Sequence, residues 1–351
     1  MLLPFSSKNL VGFDIGTSAI KLVELDEAKG NYRLKNFGIA KLPKETIVNG
    51  VIINADPLVQ SIKSLTSNLK ISNKNVAISI SGNPVIIKKI TLPFMTEDEL
   101  EPVIETEAEQ YIPFDLEEVN IDFQILGVNE ENSEQMDVML VAAKKAMIEE
   151  YTDVIRNAGL KACIIDIDVF SLENMFNINY TYEENETVVL IDIGASVTNI
   201  NIVKNGTSIF NRDVFLGGNQ LTEEIQKELS VSFEEAEILK TGEQIEGINQ
   251  ELIDQTIAKN CSSIAREIRR TLDFFTGSSY AEINRIYLSG GASKTQGLKE
   301  IIEEKMNSTV EPSDPFKEIK YDKKTFDTEY IKDISLFAAV GVGLASRKIG
   351  D

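Results

Sequence analysis

Two segments built to one plan constrain this chain more than any other feature: Val11-Gly-Phe-Asp-Ile-Gly-Thr-Ser-Ala-Ile-Lys-Leu-Val-Glu-Leu25 and Val189-Leu-Ile-Asp-Ile-Gly-Ala-Ser-Val-Thr-Asn-Ile-Asn-Ile-Val203. Each reads as a strand, a sharp turn and a second strand. The apolar run ends on a carboxylate, Asp14 or Asp192; Gly16 or Gly194 then permits a tight turn, and alternation resumes. Such turns present bare backbone N–H groups. With the hydroxyls of Thr17, Ser18 and Ser196 beside them they make a concavity suited to phosphate, and a carboxylate at its lip holds magnesium through water. Two such hairpins read as the walls of one cleft, with a nucleotide tail between them.

The repeat extends further. A turn at Asp26–Asn31 leads to a strand at Tyr32–Ile39, and Asn205-Gly206, a hairpin signal, leads to Thr207–Phe215. Duplicated lobes are the expectation, and 351 residues exceed the usual size of a single core. Between the copies, Asp56-Pro57 opens a helix with Leu58, Ile62, Leu65 and Leu69 at helical spacing, followed by strands at Val76–Ile80 and Val85–Leu92. The acidic stretch Thr96–Glu118 carries an expected helix around Glu99–Tyr111, with Pro102 inside it. Strands at Val119–Leu126 and Val138–Ala142 flank a polar turn, Asn129–Gln135, and a helix at Lys145–Ala158 stops at Gly159. Residues 79–159 therefore read as a small α+β module inserted into the first lobe. A strand at Leu160–Asp166 and a helix at Phe170–Asn177 lead to the second hairpin, and Gly217-Gly218-Asn219 precedes helices at Leu221–Leu229 and Phe233–Lys240. A long helix spans Ile257–Phe275, with Arg266, Arg269 and Arg270 on its solvated face. The strand beginning at Ile286 enters the glycine turn Ser289-Gly-Gly-Ala-Ser293, a helix follows at Leu298–Met306, and Ile334–Ser346, dense in Ala and Gly, closes the chain.

A net charge of −21 argues against general nucleic-acid binding, which needs clustered Lys and Arg, and against direct adhesion to anionic lipid. The N-terminus, Met1 to Lys8, lacks the charge order of a signal peptide, and no apolar run reaches membrane-span length, so a cytoplasmic location is expected. Cys163 and Cys261 read as reduced core residues. The chain has no histidine, which removes imidazole bases and leaves carboxylates, Lys, hydroxyls and bound metal for any chemistry.

Taken in order, the hairpin, helix, second hairpin, glycine turn and small-residue closing helix resemble the phosphate-1, connect-1, phosphate-2, adenosine and connect-2 elements of the actin/heat-shock-70/sugar-kinase superfamily. The inserted module is similar to that of the FtsA branch. The strings Tyr111-Ile-Pro-Phe114, Asp14-Ile-Gly-Thr-Ser-x-x-Lys21 and Asp192-Ile-Gly-Ala195 look like the PilM family of type IV pilus assembly. The end of the chain at Arg347-Lys-Ile-Gly-Asp351, without the amphipathic membrane helix of FtsA, favours that branch.

The resemblance implies an α/β actin-like ATPase fold, two lobes around a nucleotide cleft. Its divisions are subdomain 1A (1–78 and 160–186), an FtsA-type subdomain 1C (79–159), subdomain 2A (187–220 and 277–334), subdomain 2B (221–276) and a closing helix of 1A (335–351). It implies ATP and Mg2+ as cofactors, with Asp14 and Asp192 on the metal and Gly16, Thr17, Ser18, Gly194, Ala195 and Ser196 around the phosphates. Lys21, seven residues after Asp14, matches the β-phosphate lysine of actin. An ordinary ion pair is the competing reading of Lys21. Gly217 and Gly218 flank the nucleotide, Glu237 and Lys240 match ribose and adenine contacts, and Gly290, Gly291 and Ala292 approach the α-phosphate and base. Asp168 occupies the catalytic-acid position as an aspartate in place of glutamate, with Asp192 beside it. The second turn reads Gly-Ala-Ser-Val where bacterial actins have Gly-Gly-Gly-Thr, which leaves γ-phosphate contact open. The implied partner is the cytoplasmic N-terminal tail of PilN, along with other inner-membrane pilus assembly proteins. Membrane attachment would come only through the partner, at the inner face of the cytoplasmic membrane, and self-association is a further possibility.

Four functions remain open at this point. They are an ATP-binding scaffold with slow phosphoryl transfer to water, a small-molecule kinase of the same superfamily, an FtsA-like division protein, and a purely structural protein whose cleft is vestigial, against which both aspartates and Lys21 argue mildly. The acidic flank Glu97–Glu118 reads equally as a solvated helix face and as a surface for a basic residue on the tail.

Overall fold

The computed structural model describes residues 9–129, 131–279 and 282–350. The N-terminal stretch read for a signal peptide (1–8), residue 130 of the polar turn and the terminal residue 351 lie outside the described residues.

Strands β1 (Val11–Ile15), β2 (Ala19–Ala28) and β3 (Asn31–Lys41) form an antiparallel meander, followed by a small hairpin, β4 (Ile47–Val48) and β5 (Val51–Ile52). Helix α1 (Ala55–Asn68) is capped by Asn54, whose side chain accepts from the Asp56 amide, and Pro57 lies in its first turn. Then come β6 (Asn75–Ile80), β7 (Val85–Pro93), α2 (Glu97–Leu100), α3 (Ile104–Ala108), β8 (Val119–Val128), β9 (Gln135–Lys144), α4 (Lys145–Asn157), β10 (Lys161–Ile167) and α5 (Asp168–Asn179). The second half carries β11 (Thr187–Ile193), β12 (Thr198–Lys204), β13 (Thr207–Val214), α6 (Gly218–Leu229), α7 (Phe233–Lys240), α8 (Gln250–Ser279), β14 (Arg285–Ser289), α9 (Leu298–Met306), β15 (Val310–Pro312) and α10 (Thr328–Ser346).

The expected single helix around Glu99–Tyr111 is instead two short ones. Pro102 has no amide and its ring collides with the carbonyl four residues back, so the helix begun at Thr96 ends by Glu101 and a second one starts at Ile104. The first start is fixed by a capping box in which the Glu99 carboxylate accepts from the Thr96 amide at 2.8 Å.

The duplication proves deeper than a meander. One five-stranded sheet runs β3-β2-β1-β6-β10 and the other β13-β12-β11-β14-β15, each with a three-stranded antiparallel meander followed by two parallel additions. The registers coincide: Val11 faces Glu24 and Asp14 faces Lys21, while Val189 faces Ile202 and Asp192 faces Asn199. Both central strands are buried on nearly every residue, as expected where helices cover both faces.

Helices α5 and α10 cross between the two sheets, where Leu172, Phe176, Ala338, Val342 and Leu344 share one core with Val23, Leu25, Val188 and Leu190. Gly341 and Gly343 allow α10 to lie directly on its neighbours, since a Cβ at these positions would sit 2.7 Å from the Val23 side chain and 1.7 Å from the Ser171 carbonyl oxygen respectively. The three-stranded sheet β7-β9-β8 has its own core of Ile90, Leu92, Leu100, Ile104, Met136 and Leu140 with α2 and α3. Helix α4 instead buries Met147, Tyr151, Val154 and Ile155 in the core of the first lobe. Both cysteines are free, Cys261 buried and Cys163 partly so. Among the described residues no helix is long and apolar enough to cross a membrane.

Candidate functional site

The strand ends carrying the two aspartates converge on one cavity of about 80 Å3. Asp14, Gly16, Thr17, Ser18 and Lys21 line it from the first copy, Asp192, Gly194, Ala195 and Ser196 from the second, and Asp168 at the start of α5 from between them. Ten of the residues singled out in the sequence thus meet at one place. The signal was the repeat itself: two turns of the same register at corresponding edges of two like sheets end up opposed.

Each turn is closed by its glycine. The Gly16 amide donates to the Ala19 carbonyl at 3.1 Å and the Gly194 amide to that of Val197 at 2.9 Å. The amides of Thr17, Ser18, Ala195 and Ser196 have no acceptor among the described residues, so the anion-receptive half of each turn is the second half. Gly217 is required by the protein's own packing, because a Cβ there would lie 2.6 Å from the Gly194 carbonyl oxygen and 2.7 Å from Ala195. The Asn219 amide donates to the Ala195 carbonyl at 2.7 Å, pinning the second turn to the start of α6.

The remaining predicted residues form a neighbouring cluster outside this cavity. Gly218 abuts Ala292 and the Lys240 ammonium; Lys240 is buried and bonded to Glu237 and, at 2.9 Å, to the Thr222 hydroxyl. Gly290 turns at φ +88° over the backbone of Ile193, a conformation open to glycine, and a Cβ on Gly291 would strike the Phe337 ring. The structure therefore places the two-turn cavity and the Glu237–Lys240 cluster side by side and joins them through Gly217-Gly218.

Lys21 faces Asp14 across the hairpin, with its Nζ 3.0 Å from Asp14 Oδ2 and both side chains only about 15% exposed. This is a sheltered pair rather than a surface one. Burial opposes the Lys21 charge most, but the charge and hydrogen bond of Asp14, with Asp192 and Asp168 nearby, outweigh it and raise the ammonium above the ordinary lysine range. The Asp192 carboxyl accepts from the Ser289 hydroxyl at 2.8 Å and is pushed up to about 6, chiefly by burial and then by the Asp14 charge, against the pull of Ser289 and Lys21. Asp168 is pushed up to about 7 by burial and by Asp14, against hydrogen bonds from Ser79 and Ser81.

Three carboxylates against one ammonium leave uncompensated negative charge, which a divalent cation would neutralise. Among the described residues no cluster of three or more His, Cys, Asp or Glu is arranged to enclose a metal. That donor set fits magnesium, which keeps several waters and takes one or two carboxylates plus phosphate oxygens, better than a cation needing an all-protein cage.

Residues the sequence reading passed over also line the cavity: Gly50, Ser79, Ser81, Gly82, Tyr151 and Asn199. Ser79 donates to Asp168 at 2.5 Å, and the Tyr151 hydroxyl donates to the Gly50 carbonyl at 3.0 Å. Only Asn199 had a legible signal, as the counterpart of Lys21 in the repeat. The others arrive from β6, α4 and the small hairpin, and nothing local marks them.

The Asp168 shift predicts a pH effect on the ligand-free protein. A carboxyl raised in the folded state binds its proton more tightly than in the unfolded chain, so its contribution to stability falls as pH rises from about 4 to about 7. Asp168→Asn is expected to flatten that decline and to melt above wild type at pH 8, measured by thermal denaturation with EDTA present; a variant that tracks wild type at every pH would refute it.

A family model described as Type IV pilus assembly protein PilM matches residues 12–349. The chain is 25% identical to the cell division protein FtsA of Neisseria meningitidis over 353 residues, covering 86% of this chain and 83% of that one. A solved chain of a PilM-PilN type IV pilus biogenesis complex is similar at a TM-score of 0.88 and 28% identity, with 98% of this chain and all of that one covered. MreB 5 of Spiroplasma citri, solved bound to AMPPNP, shares the fold at a TM-score of 0.54 and 13% identity, covering 96% of this chain and 95% of that one. Two like lobes with a helix pair crossing between them are the actin-like fold, and a match over nearly the whole length places this chain in the PilM family of type IV pilus assembly proteins.

Proposed function

We propose that this chain is a nucleotide-gated adaptor of type IV pilus assembly, binding Mg-ATP between its lobes and the cytoplasmic N-terminal tail of PilN at its inserted module. The observation that carries the nucleotide half is the convergence of both Asp-x-Gly turns, Lys21 and Asp168 on one cavity. Asp14 and Asp192 would hold magnesium through water. The free amides of the two turns would take phosphate oxygens, Lys21 the β-phosphate, and the Glu237–Lys240 cluster with Gly290, Gly291 and Ala292 the nucleoside. Asp168, held by Ser79, would orient a water for slow hydrolysis.

The partner half rests on the similarity to the solved PilM-PilN chain and on the separate core of the three-stranded sheet. The sequence-derived span of 79–159 for subdomain 1C narrows to the three-stranded sheet with α2 and α3, from Val85 to Lys144, because β6 and α4 belong to the first lobe, and the PilN tail would bind extended in the groove between that module and the first lobe. Binding of this kind would hold the chain at the inner face of the cytoplasmic membrane, beside the other pilus assembly proteins there.

Titration calorimetry with ATP, with and without magnesium, then with a PilN-tail peptide, tests both halves. Val85 and Ala143 are register partners, so the three-stranded sheet can be excised between them with a short link. The excised variant is expected to keep ATP binding and to lose the peptide; unchanged peptide affinity would rule out this placement.

A further inference from the structure

The polar groups at the edge of the second sheet form a row that ends on the other lobe. Ser289, Asp192, Asn199 and Asp213 are register partners on four adjacent strands, so their side chains share one face. Asn199 is 5% exposed, and its Nδ2 donates to Asp213 Oδ1 at 2.8 Å. The other Asp213 oxygen accepts from the backbone amide of Gly82 at 3.0 Å. Gly82 belongs to the first half of the chain, in the loop between β6 and β7. Asn199 and Gly82 both line the cavity.

Gly82 stands at a junction. It has φ +95°, and three residues later the chain enters β7, the strand that begins the three-stranded sheet. Its neighbour Ser81 presses its carbonyl against Gly50, where a Cβ would come within 2.7 Å, and Gly50 is tied to α4 by the Tyr151 hydroxyl. The loop is thus braced on the first lobe and gripped by a carboxylate of the second.

We propose that Asp213 is an interlobe clasp. Through the Gly82 amide it holds the lobes closed at the phosphate end of the cleft and ties lobe closure to the root of the three-stranded sheet. The bond is well suited to such a role, because an amide-to-carboxylate hydrogen bond is charge-assisted, and Asn199 fixes the carboxylate plane so that one oxygen always faces Gly82. Opening the lobes must break it, and Gly82 is then free to move with β7. The inference deepens the nucleotide-gated reading by naming the contact through which closure reaches the module.

The test uses the full chain. In ligand-free protein, Asp213→Ala is expected to speed amide exchange at Gly82 by on the order of tenfold, the effect of losing one charge-assisted hydrogen bond. Asp213→Asn, which keeps an acceptor oxygen, is expected to fall between wild type and the alanine variant. This arm requires no nucleotide, so it stands or falls apart from ATP binding. In the second arm, Asp213→Ala is expected to release Mg-ATP about tenfold faster in stopped flow, with the melting temperature confirming that it is folded. Unchanged Gly82 exchange in a folded Asp213→Ala protein would overturn the clasp, as would unchanged release from a protein that binds Mg-ATP. Should the alanine variant fail to fold, wild-type exchange and release rates in Asp213→Asn would do the same.

Discussion

Asp192→Ala is expected to weaken Mg-ATP binding at least tenfold, about 1.4 kcal/mol, and to leave metal-free ATP binding unchanged or slightly stronger. The opposite signs follow from the charge inventory of the cavity. Asp14, Asp168 and Asp192 face a single ammonium, Lys21, and burial together with the Asp14 charge already raises the carboxyls of Asp168 and Asp192. A bare triphosphate entering that field meets repulsion, which removal of one carboxylate relieves. With magnesium the same carboxylate orders the water shell of the cation, and its removal costs affinity. Calorimetry in excess magnesium and in EDTA separates the cases. Equal loss in both would show that Asp192 acts on structure and not on metal.

The largest effect on stability is expected at Gly343. Its notional Cβ lies 1.7 Å from the carbonyl oxygen of Ser171, itself fully buried in α5, so no side-chain rotation makes room and one helix backbone must shift. Gly343→Val is expected to cost about 4 kcal/mol or more, beyond the usual range for overpacking, where a flexible neighbour gives way. Helix propensity works the other way, since glycine is about 1 kcal/mol worse than alanine in a helix interior. Gly277→Ala in α8 supplies the control: nothing lies within 4 Å of that position, and the change should be neutral or mildly stabilising. Denaturant midpoints compare the two, and a Gly343 variant as stable as the control would refute the close crossing of α5 and α10. Because α5 begins with Asp168, Gly343→Ala, where it folds, should also weaken nucleotide binding.

What the sequence determined by itself was the part written locally and written twice. The Asp-x-Gly turns, their flanking alternation and the Asn205-Gly206 hairpin specify backbone shape within a few residues, so both hairpins were legible, while their registers came from the structure. Their opposition followed from the repeat. The same held for helix Phe233–Lys240, where the Ser232–Glu235 capping box fixes the start. Pro102 was legible as a disturbance, though only the structure shows a clean break into two helices.

Tertiary structure decided the contacts whose partners are far apart in the chain. Ser79 meets Asp168 across 89 positions, Gly82 meets Asp213 across 131, and Tyr151 meets Gly50 across 101. No local pattern encodes such pairs, because a serine hydroxyl or a glycine amide looks the same in any turn. Their meaning comes from which strand edge the sheet order brings beside them. The sheet order also assigned α4 to the first lobe's core and not to the module from which its strand emerges. An amphipathic helix states how much apolar surface it must bury; only the packed chain states against what.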